Sequence, residues 1–280
     1  MPTGPASPCG STRVVGIIGD PVTHSRSPAI HNAGFAALGL DFVYVAFPVP
    51  AGRGADALDA VRTLGIVGLN VTMPHKSDVA DACDELTAAA ATLRSVNTVV
   101  NRDGHLVGDS TDGPGFLAAL REAGVEPAGR RMLVLGAGGA ARAIVAALGH
   151  EGAAVTVAAR RADAGARAAA LAPDARVVGF GDVDEIVPTV DCIVNATPIG
   201  MRGEPPPFDP AGLTPEQFVY DTVYHPSPTP LLAAVADRGI PCAGGLGMLV
   251  HQAALAFVQW TGATAPLAAM ADAAREGRDP

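Results

Sequence analysis

Residues 131–159 read RMLVLGAGGAARAIVAALGHEGAAVTVAA. Arg131 to Leu135 is a short apolar strand, and Gly136-Ala137-Gly138-Gly139-Ala140-Ala141 follows it directly. An alanine-rich helix then runs to about Leu148, and Ala154 to Ala159 makes the next strand. A glycine-rich hexapeptide alone is a weak signal. Here a strand precedes it, a helix follows, and a second strand closes a ~30-residue βαβ unit, the context that a dinucleotide turn requires. Glycine lets the backbone approach a pyrophosphate, and a helix N-terminus favours its negative charge. Gly136, Ala137, Gly138, Gly139 and Ala140 are therefore the expected cofactor cradle.

The end of the second strand discriminates between the two nicotinamide cofactors. A carboxylate there would hold a ribose 2′-hydroxyl and select NAD. This chain instead has Ala159-Arg160-Arg161, with no carboxylate before Asp163. Two guanidiniums can receive a 2′-phosphate, so Arg160 and Arg161 point to NADP.

The alternation extends in both directions. Downstream, a helix is expected over 162–171 and a strand over 191–195. A loop at 196–200, a strand over 218–223 and a helix over 229–238 follow. Gly244-Gly245-Leu246-Gly247 is a glycine cluster that suits a hinge, and an apolar helix covers 248–260 and carries Gln252. Upstream, Arg13 to Gly19 and Phe42 to Phe47 read as strands, with Ser27 as N-cap and Pro28 at the first turn of the helix between them. Ser25 and Ser27 thus stand where a ligand could meet hydroxyls and backbone N–H groups together. His24 and His31 flank them without metal-ligand spacing and read as structural. A helix over 55–64 leads to a strand over 66–71, then a helix over 78–93 and strands over 95–100 and 105–108. Asn97 interrupts an apolar run, and a buried amide must find partners.

Composition narrows the class. The chain has 280 residues, about half of them hydrophobic, few aromatic, with a net charge of -9. That length suits about two domains, and the charge argues against nucleic-acid binding. Cys9, Cys83, Cys192 and Cys242 are scattered, which suits reduced thiols and gives no metal site. No stretch approaches a membrane span, and residues 1–11 lack the apolar run of a signal peptide, so a cytoplasmic protein with a frayed N-terminal tail is expected.

One residue type is unusual. Eighteen of the nineteen Lys and Arg residues are arginine, and the single lysine is Lys76, in Asn70-Val71-Thr72-Met73-Pro74-His75-Lys76. Arginine would supply the same charge, but only lysine can give up a proton readily. Asn70, Thr72 and Lys76 follow a strand, where ligands collect in open α/β sheets. Asp109-Ser110-Thr111-Asp112-Gly113 follows another. Reducing a ketone puts negative charge on oxygen, and an ammonium paired with a carboxylate can supply the proton there.

These pieces, in order, resemble the shikimate dehydrogenase family, which includes shikimate/quinate enzymes. The resemblance rests on Gly19-Asp20-Pro21 with His24-Ser25-x-Ser27-Pro28-x-x-His31-Asn32, and on Asn70-Val71-Thr72-x-Pro74-x-Lys76. It continues through Val96-Asn97-Thr98, Gly108-Asp109-x-Thr111-Asp112-Gly113, and Gly136-Ala137-Gly138-Gly139-Ala140. Asn195-Ala196-Thr197-Pro198-x-Gly200, Tyr220-Asp221-x-x-Tyr224, and Gly245-Leu246-Gly247-Met248-Leu249-Val250-x-Gln252-Ala253 complete it. It implies NADPH-dependent, reversible reduction of 3-dehydroshikimate to shikimate on the route to the aromatic amino acids. Lys76 and Asp112 become the implied catalytic pair. Ser25, Ser27, Asn70, Thr72, Asn97, Tyr224 and Gln252 become substrate contacts, and Thr222 and Gly245 flank the nicotinamide beside the cradle and Arg160. The family often has Asn-Arg-Thr where this chain has Ala159-Arg160-Arg161.

The expected fold is α/β in two domains. Residues 12–112 form an N-terminal α/β substrate and catalytic domain, and 113–243 a Rossmann-like, doubly wound NADP-binding domain. C-terminal helices over 244–280 return to the first domain, with hinge closure between glycine-rich linkers. The partner is a small molecule, and the chain is a monomer or homodimer. Rival readings are an enzyme for quinate or aminoshikimate using NAD, and a non-catalytic ligand-binding relative.

Overall fold

The structure is a computed structural model that describes residues 8–276. The expected tail therefore lies outside the described residues as far as residue 7. The next residues fold into a turn in which the Ser11 and Thr12 hydroxyls donate to Asp41 at 2.8 and 2.6 Å. The chain divides into two compact units: one takes residues up to Thr111 and from Leu249 onward, and the other takes Asp112–Met248.

The first unit begins with β1 (Arg13–Gly19), α1 (Ser27–Leu38), β2 (Phe42–Pro48), α2 (Gly54–Leu64) and β3 (Gly68–Val71). It continues with α3 (Lys76–Ala82), β4 (Glu85–Leu86), α4 (Ala88–Leu93), β5 (Thr98–Arg102) and β6 (His105–Asp109). Its sheet runs β2-β1-β3-β5-β6-β4. The sheet is mixed: β1 is parallel to β2 and β3, whereas β5 is antiparallel to both β3 and β6. The reversal comes from a two-residue turn. Asp103 and Gly104 have φ of 54° and 93°, the left-handed pair that matches strand twist in a tight hairpin. Because β5 reverses, its start and the ends of β1, β3 and β6 lie on the same edge of the sheet.

One sheet face packs Ile18, Leu69, Val71 and Val99 against Leu58, Val61 and Val79. A second buried cluster is aromatic: His31, Phe35, Tyr44, Phe257 and Trp260. Gly68 makes room for it, since a Cβ there would collide with the Trp260 indole, whose Nε1 donates to the Val99 carbonyl at 3.0 Å. At the outer edge of β2 the Asn32 carboxamide replaces a neighbouring strand. It donates to the Tyr44 carbonyl at 2.9 Å and accepts from the Tyr44 N–H at 2.8 Å.

The second unit contains α5 (Asp112–Glu122), β7 (Arg131–Leu135), α6 (Gly139–His150), β8 (Ala154–Ala159), α7 (Ala162–Ala169) and β9 (Arg176–Gly179). After them come α8 (Val183–Ile186), β10 (Cys192–Asn195), β11 (Phe218–Asp221), α9 (Pro230–Ala236) and β12 (Cys242–Gly244). All pairings are parallel, in the order β12-β11-β10-β7-β8-β9, which is the doubly wound arrangement. Alternate residues go to opposite faces. Met132, Val134, Cys192, Val194 and Tyr220 join one core with Phe116 and Ile144, while Leu133, Leu135, Ile193 and Val219 join another with Val187 and Leu231. Both faces being covered explains why these strands are apolar throughout. α10 (Leu246–Thr261) starts in this unit and continues into the first, followed by α11 (Leu267–Glu276).

Several local expectations need correction. Ser27 is the first residue of α1 rather than its N-cap: Arg26 takes that place, and the Ser25 hydroxyl accepts the Ser27 N–H at 3.2 Å. The single helix expected over 78–93 is broken in two, because Cys83 is extended and Glu85–Leu86 pair with β6. Asn97 precedes β5 instead of interrupting it, and Val223 lies beyond β11. The edge strands β4, β9 and β12 were not expected.

Candidate active site

Three chain segments meet at the carboxyl edge of the first unit's sheet. After β1 the chain turns through Ser25 and Ser27. After β3 it passes Thr72 and reaches Lys76, the half-buried first residue of α3. The Thr72 N–H donates to the Ile18 carbonyl at 3.0 Å, and the Asp20 N–H donates to the Met73 carbonyl at 3.0 Å, so the two loops are stitched together. Gly19 allows this, since a Cβ would strike the Thr72 methyl. The Val96 N–H donates to the carbonyl of Lys76 itself at 2.9 Å, tying the lysine to the approach of β5.

Asn97 is the most heavily engaged residue in the group. It is 3% exposed, and its Oδ1 accepts the Thr111 N–H at 2.8 Å and the Thr98 hydroxyl at 3.1 Å. Its Nδ2 donates to Thr111 Oγ1 at 3.0 Å and to Gln252 Oε1 at 3.4 Å. Gln252 is buried as well, and its Nε2 donates to the Leu249 carbonyl at 2.8 Å. Asn70 accepts the Tyr44 hydroxyl at 2.8 Å and donates through Nδ2 to the Asn97 carbonyl and Thr98 Oγ1, both at 3.2 Å. Its acceptor and donors are thus engaged within the protein, which makes it a support of this edge. Thr111 is the residue that Asn97 fixes, and Asp112, the next in the chain, opens α5 with 7% exposure.

The second unit carries the nucleotide features. Gly136 ends β7 with φ of 111°, and a Cβ there would lie 2.8 Å from the Ala196 carbonyl, so only glycine lets the β7 and β10 loops pass at this switch point. Gly138 is extended at the N-cap of the twelve-residue α6, and a Cβ on it would meet open space. The turn therefore leaves backbone N–H groups of a long helix N-terminus open to an anion. Ala137, Gly139 and Ala140 lie around it. Arg160 and Arg161 follow β8 and are exposed. Arg161 faces Asp163 at 3.9 Å, and Arg160 makes no ion pair among the described residues. The residues present fit a phosphorylated dinucleotide.

Thr222 and Gly245 are also brought together. The Gly245 N–H donates to the Val223 carbonyl at 3.3 Å, and a Cβ on Gly245 would collide with the Thr222 carbonyl. Beneath them lies a buried cluster. Asp221 accepts Asn195 Nδ2 at 2.9 Å, the Val223 N–H at 3.1 Å and the Thr229 hydroxyl at 2.6 Å. Burial pushes the Asp221 carboxyl up, and the three donors pull against it. Tyr224 is half-buried just beyond.

Sequence reasoning missed Tyr44, Thr98 and Thr111 as site supports. The available signal was a tyrosine within the apolar run of β2, since a buried phenol needs a partner.

Known proteins resemble this chain along most of its length. The shikimate dehydrogenase substrate binding domain matches residues 17–99, and the shikimate 5'-dehydrogenase C-terminal domain matches 245–275. A shikimate dehydrogenase (NADP(+)) of Citrifermentans bemidjiense is 48% identical over 92% of each chain. Among solved structures, shikimate 5-dehydrogenase from Thermus thermophilus, in complex with NADP(H) and shikimate, is 35% identical. It covers 94% of this chain and 99% of its own, with a TM-score of 0.87. Quinate dehydrogenase from Corynebacterium glutamicum, in complex with NAD, is 32% identical with a TM-score of 0.88, covering 95% and 99%. No helix among the described residues is long and apolar enough to cross a membrane. With the ordered motifs on these elements and relatives matched along nearly the whole length, the chain belongs to the shikimate dehydrogenase family.

Proposed function

We propose that this chain catalyses the reversible reduction of 3-dehydroshikimate to shikimate, with Lys76 and Asp112 as the catalytic pair. As a member of its family it is an NADP-dependent oxidoreductase of the shikimate pathway. The observation that carries the reading is the polar edge of the first unit. There the chain's one lysine opens α3 just after β3, on the edge where Asn97, Thr98 and Thr111 join hydroxyls and amides of the kind that suit a polyhydroxy acid.

When bound, NADPH supplies a hydride to the ketone carbon. The Lys76 ammonium gives the carbonyl oxygen its proton, so that C=O becomes CH–OH, and in the reverse direction the amine takes the proton back. Asp112 holds the lysine and the reacting hydroxyl. Ser25, Ser27, Thr72, Asn97, Gln252 and Tyr224 hold the remaining hydroxyls and the carboxylate, with Asn70 holding Asn97. Gly136 to Ala140 take the pyrophosphate, Arg160 and Arg161 take the 2′-phosphate, and Thr222 and Gly245 lie beside the nicotinamide. The enzyme works in the cytoplasm on small molecules.

Steady-state kinetics of two lysine variants test this. Lys76→Ala should lower kcat by ~10²–10⁴-fold. Lys76→Arg keeps the charge but not the exchangeable proton, and should be nearly as impaired. A drop smaller than about tenfold in Lys76→Ala, or recovery in Lys76→Arg, would overturn the proton-transfer role.

A further inference from the structure

Tyr44 lies in the middle of β2, on the edge strand, and has no place among the substrate or cofactor contacts. Yet the consecutive residues His31 and Asn32 both act on it. Asn32 clamps its backbone with two hydrogen bonds at 2.9 and 2.8 Å. His31 stacks on its ring, with centroids 4.4 Å apart and planes 3° from parallel. Trp260 closes the cluster, tilted, at 6.0 Å from Tyr44 and 5.2 Å from His31. Fixing one buried ring from so many directions suggests that the position of its hydroxyl matters.

That hydroxyl donates to Asn70 Oδ1 at 2.8 Å, and an amide whose oxygen is held has its NH₂ direction fixed as well. The Asn70 Nδ2 then reaches the Asn97 carbonyl and the Thr98 hydroxyl, which in turn donates to Asn97 Oδ1. Burial pushes the Tyr44 phenol well above its ordinary value, with a hydrogen bond from Ser27 pulling the other way. The phenol therefore stays protonated and a donor to Asn70. His31 is fully buried, neither ring nitrogen makes a well-formed hydrogen bond, and burial lowers it to about 3 with the Asn70 amide opposing. It is a neutral, flat stacking surface.

We propose that Tyr44 is a positioning residue for the substrate, its hydroxyl setting the Asn70–Thr98–Asn97 chain. This rests on the function proposed above, with Asn97 as a substrate contact. It also gives the His31-Asn32 pair a role, that of holding the ring from which the substrate groups are aligned.

Tyr44→Phe removes only the hydroxyl and keeps the stacked ring. It should reduce kcat/KM for shikimate about tenfold, chiefly through KM, because a buried acceptor on Asn70 loses its donor. KM for NADP should stay within about twofold. Asn101→Ala is the control for general loosening: it removes side-chain bonds to the Val61 and Ile66 carbonyls in the same unit but leaves the Tyr44 cluster intact, and should leave KM for shikimate within about twofold. In Asn70→Ala protein, adding Tyr44→Phe should cost at least about threefold less than in wild type, since the two act through one contact. Unchanged kcat/KM in Tyr44→Phe, an equal rise of KM for shikimate in Asn101→Ala, or independent effects of Asn70→Ala and Tyr44→Phe would each overturn the proposal. A wild-type protein inactive on shikimate would instead sink the functional reading, and this proposal with it.

Discussion

The two sheets present their carboxyl edges to ligands in opposite ways. In the first unit the edge is built from side chains, and Tyr44, Asn70, Asn97, Thr98 and Thr111 bind one another before any ligand arrives. In the second it is built from backbone, with Gly136 and Gly138 clearing space so that main-chain N–H groups face outward. The difference follows what each must recognise. A pyrophosphate is a diffuse anion that helix N–H groups satisfy without side chains. A polyhydroxy acid differs from its relatives by single hydroxyls, and only fixed side-chain donors and acceptors separate them. On the proposed function, cofactor choice in the second unit falls on the place where side chains return, Arg160 and Arg161.

If that contrast is right, removing a side chain should change selectivity in the first unit through substrate and in the second only at the arginines. Arg160→Ala should raise KM for NADP by roughly 10–100-fold, the worth of ~1.5–3 kcal/mol of charged hydrogen bonding, and leave KM for NAD within about twofold. Steady-state kinetics with both cofactors check this, and equal changes for NADP and NAD would place the 2′-phosphate elsewhere.

A smaller effect separates the units by pH. His31 must stay neutral in the folded first unit, and its folded value of about 3 lies below the ordinary 6.5. The unfolded chain binds that proton first, so stability should fall as pH drops from about 6.5 toward 3, by up to ~1.4 kcal/mol per unit from this group. Asp221 in the second unit is shifted the other way: its folded carboxyl keeps a proton above 3.8, so it weakens the fold as pH rises out of that range. Urea unfolding of wild type and His31→Phe across this range checks the first slope, which should flatten in the variant. An unchanged slope would assign the acid sensitivity to other groups.

The doubly wound half was the more legible in sequence, for a physical reason. Strands buried on both faces are continuous apolar runs, as at Arg131–Leu135 and Ala154–Ala159, and the glycine turn between them has its own signature. Its edge strands β9 and β12 escaped because four and three residues carry too little pattern. In the mixed half, Asp103-Gly104 is the hairpin signal that reverses β5, and the strands expected over 95–100 and 105–108 were read without a direction. The helix break at Cys83 was hidden because alanine-rich sequence surrounds a two-residue strand set by pairing with β6. Ser25, Ser27, Asn97 and Gln252 were picked out as polar residues in apolar or turn settings. Tyr44 was not, because its role depends on strand order: β2 must lie two places from β3 for the phenol to meet Asn70.

The most direct measurement is nicotinamide absorbance near 340 nm with purified protein, shikimate or quinate as substrate, crossed with NADP or NAD. The fastest reduction of cofactor should occur with shikimate and NADP, at least about tenfold above either single replacement in kcat/KM. Quinate with NAD as the best pair, or no signal in any of the four combinations, would contradict the proposed function.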